Sequence, residues 1–156
     1  MAWVIDSCVL LDVALKDPSH GLASALFLEQ IRTAGLVACP VSVVEIAPFF
    51  DGETRYVRDF LRAMGVEANV AWMEADTEAA VRGWTRYVRL KRAGAASKRP
   101  LADILIGGFA LRHQGLVTRN PDHFRPFFPR LTLSAPDALR VSTGGAATRR
   151  TPRKPG

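Results

Sequence analysis

Residues 2–6 read AWVID, a short and almost unbroken apolar run that ends on an acid. A strand with one exposed face alternates apolar and polar residues, whereas a continuous run suits a parallel strand covered by helices on both faces. Four further runs share this character: GLVACPV (35–41), NVAW (69–72), GLVT (115–118) and RLTLS (130–134). Longer stretches rich in Ala, Leu, Glu and Arg separate them, the alternation expected of strands linked by helices. The predicted class is α/β, a three-layer α/β/α fold with a mainly parallel central sheet of four to five strands.

The intervening stretches read as helices. Leu22–Leu26 and Phe27–Ile31 make i,i+4 apolar pairs in a helix that stops near Gly35. A second helix is expected after Ser42. RYVRDFLRAMG (55–65) sets Val57, Phe60, Leu61 and Met64 against a face of arginines and ends at Gly65. The next helix should run from about Thr77, capped by Asp76, to Arg92. LADILIGGFALRH (101–113) is apolar all round and is predicted to lie buried against the sheet. Gly107 and Gly108 inside it each cost about 1 kcal/mol relative to alanine, which close approach of another backbone would explain.

At 156 residues, 48% hydrophobic and 23% charged, the chain has the size and composition of one globular domain, and wholesale disorder is excluded. The predicted division is a folded domain over 1–141 and a basic, disordered tail over 142–156. The net charge of +6 falls to +2 once Arg149, Arg150, Arg153 and Lys154 of that tail are set aside. The tail reads either as a weak nucleic-acid attractant or as a solubilising terminus. No run reaches the roughly 20 apolar residues of a membrane span, and MAWVID lacks the features of a signal peptide, so a cytoplasmic protein without a membrane partner is expected. Cys8 and Cys39 lie in apolar surroundings, as buried thiols of a reducing compartment do, rather than as a disulfide or half a zinc site.

In open α/β sheets ligands bind outside the carboxyl ends of the strands. Those places here carry Asp6 and Ser7, then Glu45, then Asp103 at the start of the buried helix, then Thr118, Asn120 and Asp122. Each also has a structural role open to it. Asp6 suits a turn cap, Glu45 the third place of a capping box with Ser42, Asp103 a helix first turn, and Asn120 and Asp122 flank Pro121 in a turn. Taken as a group, unpaired carboxylates repel and lose hydration, and so need a cation. Oxygen-only ligation selects Mg²⁺ or Mn²⁺, and the scattered His20, His113 and His123 offer no zinc set. The chemistry implied is metal-dependent phosphoryl hydrolysis. Arg82, Arg86 and Arg89, spaced by four and three, share one helix face inside a run from Ala79 to Ala102 that holds no acid but also Lys91, Arg92, Lys98 and Arg99. That face suits either a phosphate track or simple solvation.

VIDSCVLLD (4–12), SVVEIA (42–47), PLADILIGGFAL (100–111) and GLVTRNPDHF (115–124) together resemble, in order and spacing, the motif set of PIN-domain ribonucleases, and more closely the VapC-type toxins of toxin–antitoxin pairs. The resemblance spans roughly residues 2–135. It implies that Asp6, Glu45 and Asp103 form an acidic core for Mg²⁺ or Mn²⁺, with Ser7 the hydroxyl that follows the first aspartate. The family's fourth position, an acid or asparagine just after the fourth strand, is offered by Asn120 directly and by Asp122 two residues on. The reading taken is Asp122 as a metal-side or water-side carboxylate and Asn120 as an orienting amide, with Thr118 the strand-end hydroxyl and Arg119 a phosphate contact. With it the Arg82, Arg86 and Arg89 face reads as RNA-binding. The activity implied is an endoribonuclease on structured RNA, tRNA or ribosomal RNA, held by a cognate antitoxin and working as a homodimer.

A haloacid-dehalogenase-type phosphatase would need a second acid where Cys8 stands, and a dinucleotide-binding fold would need a glycine fingerprint after the first strand. Two alternatives remain within the fold: a catalytically inactive RNA-binding module, and an RNA-processing nuclease without an antitoxin.

Overall fold

The computed structural model describes residues 1–95 and 100–136, so Lys98, Arg99 and the expected basic tail lie outside the described residues. Five strands, β1 (Trp3–Ile5), β2 (Leu36–Val37), β3 (Val66–Glu67), β4 (Gly115–Val117) and β5 (Leu133–Ser134), form one sheet in the order β3-β2-β1-β4-β5. Every neighbouring pair is parallel. The helices are α1 (Ser7–Ala14), α2 (Gly21–Ile31), α3 (Pro40–Ile46), α4 (Thr54–Ala63), α5 (Glu74–Arg92) and α6 (Leu101–Ala110).

Strands this short cannot hold a sheet by backbone bonds alone, and the side chains that alternate across them explain its stability. Val4 and Leu116 point into one apolar cluster with Tyr87 of α5, Ile106 and Phe109 of α6, and Phe124, Phe127 and Phe128. Ile5 and Val117, one residue on, point into the opposite cluster with Leu10 of α1, Phe27 and Leu28 of α2, and Val57 and Leu61 of α4. These are the three layers that the unbroken apolar runs predict. Leu22 and Leu26 of α2 face outward, 75% and 61% exposed.

The glycine pair in α6 has the explanation expected of it at Gly108. A Cβ there would stand 2.8 Å from the backbone nitrogen of Ala80 and 3.0 Å from its Cα, so only glycine lets α5 and α6 approach this closely.

Three local expectations are corrected. NVAW forms no strand; the third strand is Val66–Glu67. The last link to β2 is the Ala38 amide donating to the Glu67 carbonyl, because Pro40 then starts α3 and leaves no partner strand. Trp72 instead stacks on Phe109, 6.1 Å between centroids, and the Ala71 carbonyl accepts from Arg112. The second helix starts at Pro40 rather than after Ser42, which puts Ser42 inside it and leaves no capping box with Glu45. Helix α5 starts at Glu74 because the Asp76 carboxylate reaches back to the Met73 amide, 2.8 Å, from the third helical position.

In a parallel sheet all the carboxyl ends lie along one edge. Asp6 after β1, α3 after β2 and Thr118 after β4 are therefore brought to the same edge by the topology.

Candidate functional site

Asp6 occupies the cap position of α1, yet its side chain makes no cap hydrogen bond. Its Oδ2 instead accepts from the Thr118 hydroxyl at 2.6 Å and from the Cys8 thiol at 3.2 Å. Thr118 is fully buried, and its Oγ1 also accepts the Asn120 backbone N–H at 3.0 Å. Ser7 is buried and donates to Glu45 Oε2, tying the β1–α1 junction to α3 across 38 residues of sequence. With the capping box absent, Glu45 is left to this contact.

Asp103 sits in the first turn of α6. Burial, then the negative charges of Asp6 and Glu45, push its carboxyl from the ordinary 3.8 up to about 6, against the opposing influence of His123. The charges of two acids from two other motifs thus reach Asp103. His123 Nδ1 lies 3.5 Å from Asp103 Oδ2, a neighbour that the sequence did not announce. Both cysteines are free, and burial raises the thiols of Cys8 and Cys39 to about 12 and 11, which makes them poor thiolate ligands.

A raised carboxyl pKa has a stability consequence of definite sign. Between about pH 4 and pH 6 the folded chain holds a proton on Asp103 that the unfolded chain has released, so stability falls as pH rises through that window. Asp103→Asn escapes this fall. In EDTA its melting temperature, relative to wild type, is expected to climb between roughly pH 4 and pH 6.5, and a constant difference would contradict the electrostatic origin.

Other expected residues are placed differently. Asp122 is exposed, and its carboxylate takes Arg125 at 2.8 Å; its charge is not among those that shift Asp103. Arg119 does not stand out as a phosphate contact, because its Nε donates to the buried Asp12 at 2.7 Å. Burial carries this difference: a carboxylate sealed inside the fold needs a charged donor more than an exposed arginine needs an acid. Asp12 was visible in VIDSCVLLD but carried no signal beyond its letter. Arg82, Arg86 and Arg89 are all exposed on α5, as their spacing requires. Arg82 lies 4.0 Å from Glu78, and Arg86 donates to the Phe127 carbonyl at 2.7 Å.

Among the described residues no three His, Cys, Asp or Glu side chains are gathered closely enough to hold an ion as they stand. In kind, the donors still fit a hard divalent cation: Asp6, Glu45 and Asp103 supply carboxylate oxygens alone, and their mutual repulsion on Asp103 is what a cation relieves.

No family model matches the chain, and no curated protein matches it in sequence. Among solved structures it is similar to a chain in the crystal structure of VapBC2 from Rickettsia felis bound to a DNA fragment from their promoter. The identity is 17% and the TM-score 0.65, over 86% of this chain and 98% of that one. The two chains share a fold. That fold is of the three-layer α/β class expected from the sequence, and the acidic edge lies within it. No helix of the described residues is long and apolar enough to cross a membrane.

Proposed function

We propose that the chain is a Mg²⁺- or Mn²⁺-dependent endoribonuclease that cleaves structured RNA, tRNA or ribosomal RNA, as the toxin of a toxin–antitoxin pair. The observation that carries this reading is an arrangement of acids at the carboxyl edge of the sheet: Asp6 held by Thr118, Glu45 held by Ser7, and Asp103 in the first turn of α6, whose carboxyl the other two charges push up. Those three residues would hold the cation, which when bound supplies a water of lowered pKa and charge for the departing alkoxide. Thr118 fixes the rotation of the Asp6 carboxylate and Ser7 does the same for Glu45. The exposed arginines of α5 draw the phosphate backbone in. A cytoplasmic setting suits the free thiols, and the VapBC2 likeness favours an antitoxin partner; the homodimer rests on the motif resemblance alone.

A second reading is favoured by one observation, the lack of three ready-gathered ligands among the described residues: a PIN-like module that binds RNA without cutting it. Incubating purified total RNA with the wild-type chain in Mg²⁺, Mn²⁺ or EDTA separates the two. Discrete fragments that vanish in EDTA support the nuclease. Saturable binding without fragments in any metal supports the module.

The arginine face is tested in an Asp6→Asn background, where binding can be followed without cleavage. Replacing Arg82, Arg86 and Arg89 together by alanine should flatten the dependence of log Kd on log salt by about 2, at roughly 0.7 per lost phosphate contact on single strands. An unchanged slope would remove the face from the RNA path.

A further inference from the structure

Asp12 is a carboxylate that the proposed chemistry does not use, and it is 3% exposed in the middle of α1. Burying such a group is costly unless charge and hydrogen bonds compensate it. Both are present on one oxygen: Oδ2 accepts Arg119 Nε at 2.7 Å and the Ser24 hydroxyl of α2 at 2.8 Å. Arg119 is the residue after Thr118, whose hydroxyl donates to Asp6. The contacts therefore close a ring, from Asp6 along α1 to Asp12, across to Arg119, back one residue to Thr118 and across again to Asp6.

We propose that Asp12 is a positioning residue for the acidic site: through Arg119 it holds the turn after β4 so that the Thr118 hydroxyl keeps the Asp6 carboxylate in its working rotation. This rests on the nuclease reading above. A ring sets an orientation that no single member sets alone, because Thr118 is free to turn away from Asp6 once the strand end beside it loosens. Arg119 holds that end from inside the fold, with its side chain 26% exposed against the 3% of Asp12. The arm to Ser24 fastens α1 to α2 and lies outside the ring, which supplies an internal control.

The test compares Asp12→Ala, Asp12→Asn and Ser24→Ala with wild type by thermal melting, by calorimetric titration with Mn²⁺ alone, and by kcat and KM on a cleaved RNA. Asp12→Ala should weaken Mn²⁺ binding and lower kcat by about 10–100-fold, the usual scale for partners that orient metal ligands, with KM within about twofold of wild type. Asp12→Asn keeps an acceptor for Arg119 and should recover most of both losses. Ser24→Ala should lower the melting temperature and leave Mn²⁺ affinity intact. If Asp12→Ala does not fold, the double variant Asp12→Leu/Arg119→Met opens the ring without leaving a buried charge unpaired and carries the same expectation.

A change in melting temperature alone, with Mn²⁺ affinity and kcat unchanged, would make Asp12 a simple brace and overturn the proposal. So would a Ser24→Ala effect on Mn²⁺ as large as that of Asp12→Ala, since the influence would then travel through α2. A wild-type chain that neither binds Mn²⁺ nor cuts RNA would instead overturn the nuclease reading, and the positioning role with it.

Discussion

Asp6→Asn is expected to lose at least about a thousandfold in RNA cleavage while melting close to wild type. A bound divalent ion supplies several kcal/mol of transition-state stabilisation, and each 1.36 kcal/mol is a factor of ten in rate. Removing a charge from the acidic edge forfeits most of that. The fold has no reason to suffer: Asn has the shape of Asp, its oxygen still accepts from Thr118, and the charge lost is one that raises the carboxyl of Asp103. Two readouts check this together. Fragments on a sequencing gel should disappear, and the rise in melting temperature that Mn²⁺ gives the wild type by mass action should shrink or vanish. A variant that still cuts, beside a wild type whose melting ignores metal, would remove Asp6 from the mechanism.

The largest loss of stability should follow Phe128→Ala. Phe128 is 2% exposed and its ring lies on two glycines, Gly83 of α5 and Gly107 of α6. A Cβ at Gly83 would stand 2.5 Å from that ring and one at Gly107 nearer still, so both helices are shaped to receive it. Cutting the ring away leaves a cavity walled partly by residues that have no side chain to fill it. The cost should fall at about 3–5 kcal/mol, the range for Phe→Ala in a core, and lower the melting temperature by roughly 10 °C or more. A partner substitution shows whether this packing is the cause. Gly107→Ala gains about 1 kcal/mol of helix propensity, but beside an intact Phe128 the overpacking should cost about 1–3 kcal/mol. In the Phe128→Ala background the clash is gone, and the same change should stabilise. If Gly107→Ala has the same effect in both backgrounds, the ring is not what requires the glycine.

Several features are legible in the order of residues because they are local. AWVID, GLVT and RLTLS contain strands, since an unbroken apolar run between turn residues has few other ways to bury itself. The face of Arg82, Arg86 and Arg89 is exposed as its spacing requires, because helix periodicity is a property of the helix alone. NVAW fails for the opposite reason. Its composition suits a strand, but a strand also needs a neighbour, and Pro40 turns β2 into a helix before one is available.

The acids divide along the same line. Which carboxylates stand at strand ends is written in the chain, and Asp6, Glu45 and Asp103 are readable there. That the charges of Asp6 and Glu45 reach Asp103, that His123 comes to face Asp103, and that Arg119 turns inward to Asp12 are decided only by tertiary packing. Burial and Coulomb interaction depend on distances in space between residues up to 107 positions apart, and no local pattern encodes those distances. Local residue order specifies the layers, the edge and the kinds of group that stand on it. The packed structure decided which of those groups are neutralised inside the fold and which are left to bind something else.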